Sequence, residues 1–150
     1  MTALDVWIAT MGVAFLSGFV PIVNIEAYLV GAAAILPGCP ALVVVVAAAL
    51  GQMAAKTILF FGGRGLVTLP LRHGEWVLAA ASRLTSRRRG ARALVFTSAL
   101  TGLPPFYVVS VAAGMAGFRA GQFLLAGFAG RFLRFGAVFA LPGVVLWVIS

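Results

Sequence analysis

Four ionisable residues stand inside apolar sequence, where a charge is expensive and calls for a reason. They are Glu26 in "SGFVPIVNIEAYLVG", Lys56 in "GQMAAKTILFF", and Arg131 with Arg134 in "AGRFLRFG". A charged side chain at bilayer depth costs on the order of 3 kcal/mol on insertion scales, so it faces a helix-bundle interior or water. Two arginines three apart share one helix face, and their planar guanidinium forks match the oxygens of a phosphate. Glu26 would neutralise part of that charge, or exchange a proton while an anion passes. Protonating it would strengthen the arginines' hold on an anion, and ionising it would weaken that hold. Each group also has a plainer reading. Glu26 could be protonated, or cap a helix that begins after the break. Lys56 lies about two turns before a basic stretch, roughly 12 Å at helical rise, so it could snorkel to headgroups. Arg131 and Arg134 could form a structural ion pair with Glu26, or sit at an interface if their helix ends near Arg134.

The elements that must position these residues follow from composition. Hydrophobic residues make up 63% of the 150 and charged residues 9%, with a mean hydropathy of +1.12, which excludes an ordinary soluble mix and predicts an integral membrane protein. Four apolar blocks appear, at 6–36, 41–63, 94–118 and 120–149. Blocks two and four are long enough to cross a hydrocarbon core, which takes about 20 helical residues. Blocks one and three are interrupted, the first at Pro21 and Asn24, the third at "TGLPP", where Gly102, Pro104 and Pro105 break the helical hydrogen-bond ladder. Interrupted segments at matching places in two halves are the pattern of an inverted repeat. In both halves a proline precedes a glycine by ten residues, Pro21 to Gly31 and Pro104 to Gly114. Between residues 64 and 92 lie seven arginines against one acid, Glu75, and a short basic connection of this kind stays on the cytoplasmic side.

The expected fold is therefore an all-α integral membrane protein with two re-entrant or broken helical hairpins and two full transmembrane helices. It forms one domain over 1–150, with a first half of about 1–63, a basic cytoplasmic loop at 64–92 and a second half at 93–150. The N-terminal "MTALDVWIATMGVAF" lacks the basic region and cleavage site of a secretory signal and is expected to be retained.

Other motifs carry less chemistry. "GGRG" lacks the spacing and lysine of a phosphate-binding loop and reads as a helix end. His73 with Glu75 is too sparse for zinc, which takes three or four ligands. Ser17 and Ser98 have no base in reach, because the sole histidine lies in the basic stretch, so no enzyme is expected. Gly117 and Gly121, four apart in "AAGMAGFRAG", read as a close helix-packing pair, and the lone Cys39 as a packing residue.

The strings "GFVPIVNIEAYLVGAA", "ALGQMAAKTILFFGGRG" and "LPPFYVVSVAAGMAGFRAGQFLLAGFAGRFLR" resemble, in that order and over nearly the whole chain, the DedA family, also called the VTT-domain or SNARE-associated Golgi protein family. The resemblance implies two re-entrant hairpins facing each other across the bilayer, and a part in moving lipids or lipid-linked carriers. Many relatives place arginines on either side of the second hairpin's proline, whereas this chain has Thr101 and Tyr107 there. Lys56, Arg131 and Arg134 stand as replacements. The expected function is a plasma-membrane transporter or flippase-like protein for an anionic lipid or small anion, proton-coupled through Glu26. The alternative is a non-transporting assembly or envelope-homeostasis protein. No metal or cofactor is expected. The expected partners are membrane lipids, anionic ones first, with self-association allowed and no nucleic acid.

Overall fold

A computed structural model describes residues 3–20, 23–35, 40–65, 74–86 and 88–149. All regular structure among them is helical: α1 (Ala3–Phe19), α2 (Ile25–Ile35), α3 (Ala41–Gly63), α4 (Gly74–Ser86), α5 (Arg88–Thr101), α6 (Phe106–Met115) and α7 (Ala120–Ile149). Two stretches are long and apolar enough to cross a membrane, Ala41–Gly63 and Ala120–Gly143, with mean hydropathies of 2.0 and 1.5. Pro142 lies inside α7 without ending it. Large apolar side chains point away from the protein interior, among them Leu42, Leu125 and Leu141. An outward-facing apolar surface of this kind suits lipid.

Both expected interruptions are helix breaks. In the first, α1 stops at Phe19, and Asn24 restarts the chain by accepting the N–H groups of Glu26 (2.9 Å) and Ala27 (3.2 Å) on Oδ1. That is an N-cap satisfying two of the orphan donors of α2. Pro21 lies outside the described residues. In the second, Gly102 takes a φ of 82°, in the left-handed region, and its N–H closes on the Ser98 carbonyl at 2.8 Å. Pro104 and Pro105 then forbid continuation, and the Ser98 hydroxyl donates to the Pro104 carbonyl at 2.5 Å.

The chain forms two compact units. The first comprises Met1–Gln52 with Phe132–Ser150, the second Met53–Arg131, so the units cut across the sequence halves expected at 1–63 and 93–150. In the first unit α1 buries Val6, Thr10, Ala14 and Gly18, a stripe of small residues at every fourth position. A Cβ on Gly51 of α3 would stand 2.3 Å from the Met11 carbonyl oxygen, so α1 and α3 meet almost backbone to backbone. Thr10 and Tyr28 share a hydroxyl hydrogen bond of 2.9 Å, and Gln52 donates to Ser17 at 2.7 Å.

The second unit is built round α6, which buries eight of its ten residues and packs against α4 and α5. Residues 64–92, expected as a loop, instead hold α4 and the first turn of α5. Val77, Ala80 and Leu84 form a buried stripe at helical spacing, and the burial of that stripe orders the segment. The glycine pairing is also corrected. Gly117 takes a φ of 66° and ends α6, with Phe118 N–H on the Ala113 carbonyl and Gly117 N–H on the Gly114 carbonyl, while Gly121 has open space around it. Close approach falls to other glycines. A Cβ on Gly114 would lie 1.9 Å from the Phe60 carbonyl oxygen, and one on Gly63 would lie 2.1 Å from that of Val111. Gly31, matched with Gly114 by spacing, meets nothing within 4 Å, so the two serve different ends.

Candidate functional site

Glu26 stands in the first turn of α2, where the helix dipole favours a negative charge. Asn24, not Glu26, caps that helix, which leaves the carboxylate for another donor. Arg134 supplies it: Nε donates to Oε1 at 2.6 Å, and Nη2 pairs with the same oxygen. The two side chains are 35% and 24% exposed, so the ion pair is reachable from the surface of its unit rather than sealed. Arg134 is well inside α7, which runs on to Ile149, so an interfacial helix end at that residue is excluded.

Lys56 and Arg131 belong to the second unit, and both are buried, at 6% and 8% exposure. Burial overturns the snorkelling reading of Lys56, because a side chain reaching for headgroups would expose its ammonium group. Arg131 lies close enough to act electrostatically on Lys56, so two like charges share one buried neighbourhood. The Arg131 guanidinium carbon sits 4.9 Å from the ring centroid of Phe106, the first residue of α6 after the double-proline break. The break therefore sets the ring that carries the arginine.

That ring belongs to a column. Phe106 stacks on Phe123 at 5.9 Å and Phe123 on Phe60 at 4.6 Å, and the Arg64 guanidinium lies 4.7 Å from the centroid of Phe60. Three phenylalanines are thus capped at each end by an arginine, one buried and one exposed. Arg64 also donates to the Phe118 carbonyl, locking the end of α3 to the α6–α7 connection. "GGRG" is a helix end, as its glycines predict, but its arginine does more than the motif suggests. The three rings come from three separate elements, and no local spacing announces them.

Two further features lie in the first unit. Oε1 of Gln52 is buried without a hydrogen-bond partner among the described residues, on an amide whose nitrogen is committed to Ser17. An open apolar groove of about 510 Å³ is lined by residues including Ala33, Leu42, Val45, Phe132 and Phe139. Thr101, where many relatives of the resembled family carry an arginine, bonds back to the Thr97 carbonyl and to Leu103, and Tyr107 is exposed.

The arrangement suits anion binding more than covalent chemistry. A guanidinium resting on an aromatic face directs its N–H groups in the plane of the fork, the geometry that oxygen acceptors fit, and a neighbouring ammonium adds charge. Comparison of the chain with family models, with curated proteins and with solved structures found no match.

Proposed function

We propose that the chain is a multi-pass membrane protein that moves an anionic lipid, one carrying a phosphate, or a small anion across the bilayer, in the manner its resemblance to the DedA family implies. The broken segments α1–α2 and α5–α6 are read as re-entrant hairpins of an inverted repeat, with α3 and α7 crossing the membrane and residues 64–92 on the cytoplasmic side of the plasma membrane.

The observation that carries this reading is the buried pair Lys56 and Arg131 on the two membrane-length helices. Two basic side chains buried in one neighbourhood are the groups that an anion-binding site within a membrane would use. Across the apolar helices three bases, Lys56, Arg131 and Arg134, stand against two acids, Asp5 and Glu26, each in the first turn of its helix, and Glu26 already has Arg134. Protonation of Glu26 would free Arg134 for an incoming phosphate, and deprotonation would reclaim it, which is the proton coupling proposed here. The apolar groove of the first unit offers room for a lipid chain.

A second reading is favoured by the same ion pair. Arg134 already neutralises Glu26, as a purely structural bridge would, and a non-transporting assembly protein needs nothing more. Reconstitution separates the two: the parent chain in proteoliposomes should move a fluorescent phosphate-bearing lipid between leaflets faster than protein-free liposomes do, and an equal rate hands the lead to the assembly reading.

A further inference from the structure

The second unit gathers arginines at one end. Arg64 is the residue immediately after α3 and Arg119 the one immediately before α7, so they mark the ends of the two membrane-length helices. The hydrogen bond from Arg64 to the Phe118 carbonyl brings those two ends to one level. Arg92 joins them by a helical count. It lies ten residues before Gly102, Met115 lies ten after Pro105, and α5 packs on α6 across the tight break between them. At 1.5 Å per residue both stand about 15 Å from the break along their own helices. Arg83 falls in the last turn of α4, which leads into α5. Arg64, Arg83, Arg92 and Arg119 are all exposed, and between residues 64 and 119 the sequence holds eight arginines and a single acid, Glu75.

We propose that this basic end is a docking surface for anionic phospholipid headgroups, separate from the buried Lys56–Arg131 pair. Its occupant is set by charge complementarity together with position. Arg64 and Arg119 stand at the level where the two membrane-length helices stop, which is where headgroup phosphates lie, and Arg83 and Arg92 add exposed positive charge to the same unit. The surface gathers anionic lipid from the leaflet around the protein, whether or not the protein then moves it. The inference rests on the membrane placement proposed above and on no part of the transport reading.

The test is native mass spectrometry of the detergent-purified full chain with equimolar dioleoylphosphatidylglycerol and dioleoylphosphatidylcholine. The parent should carry mainly phosphatidylglycerol, and Arg83→Gln, Arg92→Gln and Arg119→Gln should each weaken that binding about fivefold, with lysine at the same positions restoring most of it. Arg64 is left in place because it holds the α6–α7 connection. The single variants keep the test open if a triple variant does not fold. Equal binding of the two lipids, or undiminished phosphatidylglycerol on folded variants, overturns the proposal, as does tighter binding of a short RNA than of phosphatidylglycerol. A chain that never enters the membrane fraction of cells instead sinks the membrane reading itself.

Discussion

Arg134 reaches across 108 residues of sequence to place Nε 2.6 Å from Oε1 of Glu26, and Nη2 joins the same oxygen. The pair ties α7 to the start of α2 inside one compact unit. Because both side chains keep some exposure, its net worth should be on the order of 1 kcal/mol, the range of partly exposed pairs. Removing only the acid, by Glu26→Ala, should lower stability by that amount or somewhat more. Exchanging the two, as Glu26→Arg with Arg134→Glu, should recover part of the loss. A double variant that loses as much as the two single exchanges added together, followed by thermal unfolding in detergent, would show that no coupling exists.

Gly114 and Gly31 offer a matched contrast. A methyl group on Gly114 meets the Phe60 carbonyl and forces α3 and α6 apart, at a cost of about 1–3 kcal/mol or more. At Gly31 the same methyl group enters open space in mid-helix and should leave stability unchanged or raise it by up to about 1 kcal/mol. The measurement is again thermal unfolding of Gly114→Ala and Gly31→Ala, and the expected order is destabilised, then neutral or better.

The Phe60–Phe123–Phe106 column gives a prediction about positioning. Phe106→Leu keeps an apolar side chain in the core but removes the face under the Arg131 guanidinium. The protein should stay folded, with a loss of about 1–2 kcal/mol, yet bind phosphate-bearing lipid several-fold less tightly. Phe106→Tyr, which retains a ring, should keep most of the binding. Equal binding by the Leu and Tyr variants would mean the ring does not hold the arginine for this purpose.

Topology follows from the basic segment. With Cys39 replaced by alanine, a cysteine at Ser82, exposed on α4, should be labelled by a membrane-impermeant maleimide only after the cells are opened. Labelling in intact cells would reverse the orientation.

How far the sequence reached depended on whether each signal was local. Asn24 and "TGLPP" announce their breaks within a few residues, because an asparagine cap and a glycine followed by two prolines act on the backbone next to them. The Glu26–Arg134 pair was legible for another reason. With three acids in the chain, an arginine within an apolar helix has few partners to choose from. The helix α4 was hidden by its own charge, since the arginines around "EWVLAAASRL" draw attention from the apolar spacing of Val77, Ala80 and Leu84. Lys56 looked able to reach headgroups because reach can be counted along one helix, whereas its burial is decided by what packs around that helix. The phenylalanine column and the division into two units depend on contacts between distant segments, for which the spacing of residues carries no trace.

The most direct test of the anion reading is lipid translocation in proteoliposomes by Lys56→Gln and Arg131→Gln, with Arg131→Lys as the conservative control. Each variant is first shown to be folded by thermal unfolding. The account predicts that both Gln variants lose at least tenfold in the rate of moving a phosphate-bearing lipid. It also predicts that Arg131→Lys keeps an intermediate rate, because a point charge replaces the fork only in part. Folded Lys56→Gln and Arg131→Gln proteins that translocate the lipid at the parent rate would contradict it, and would leave the two buried cations as parts of the scaffold alone.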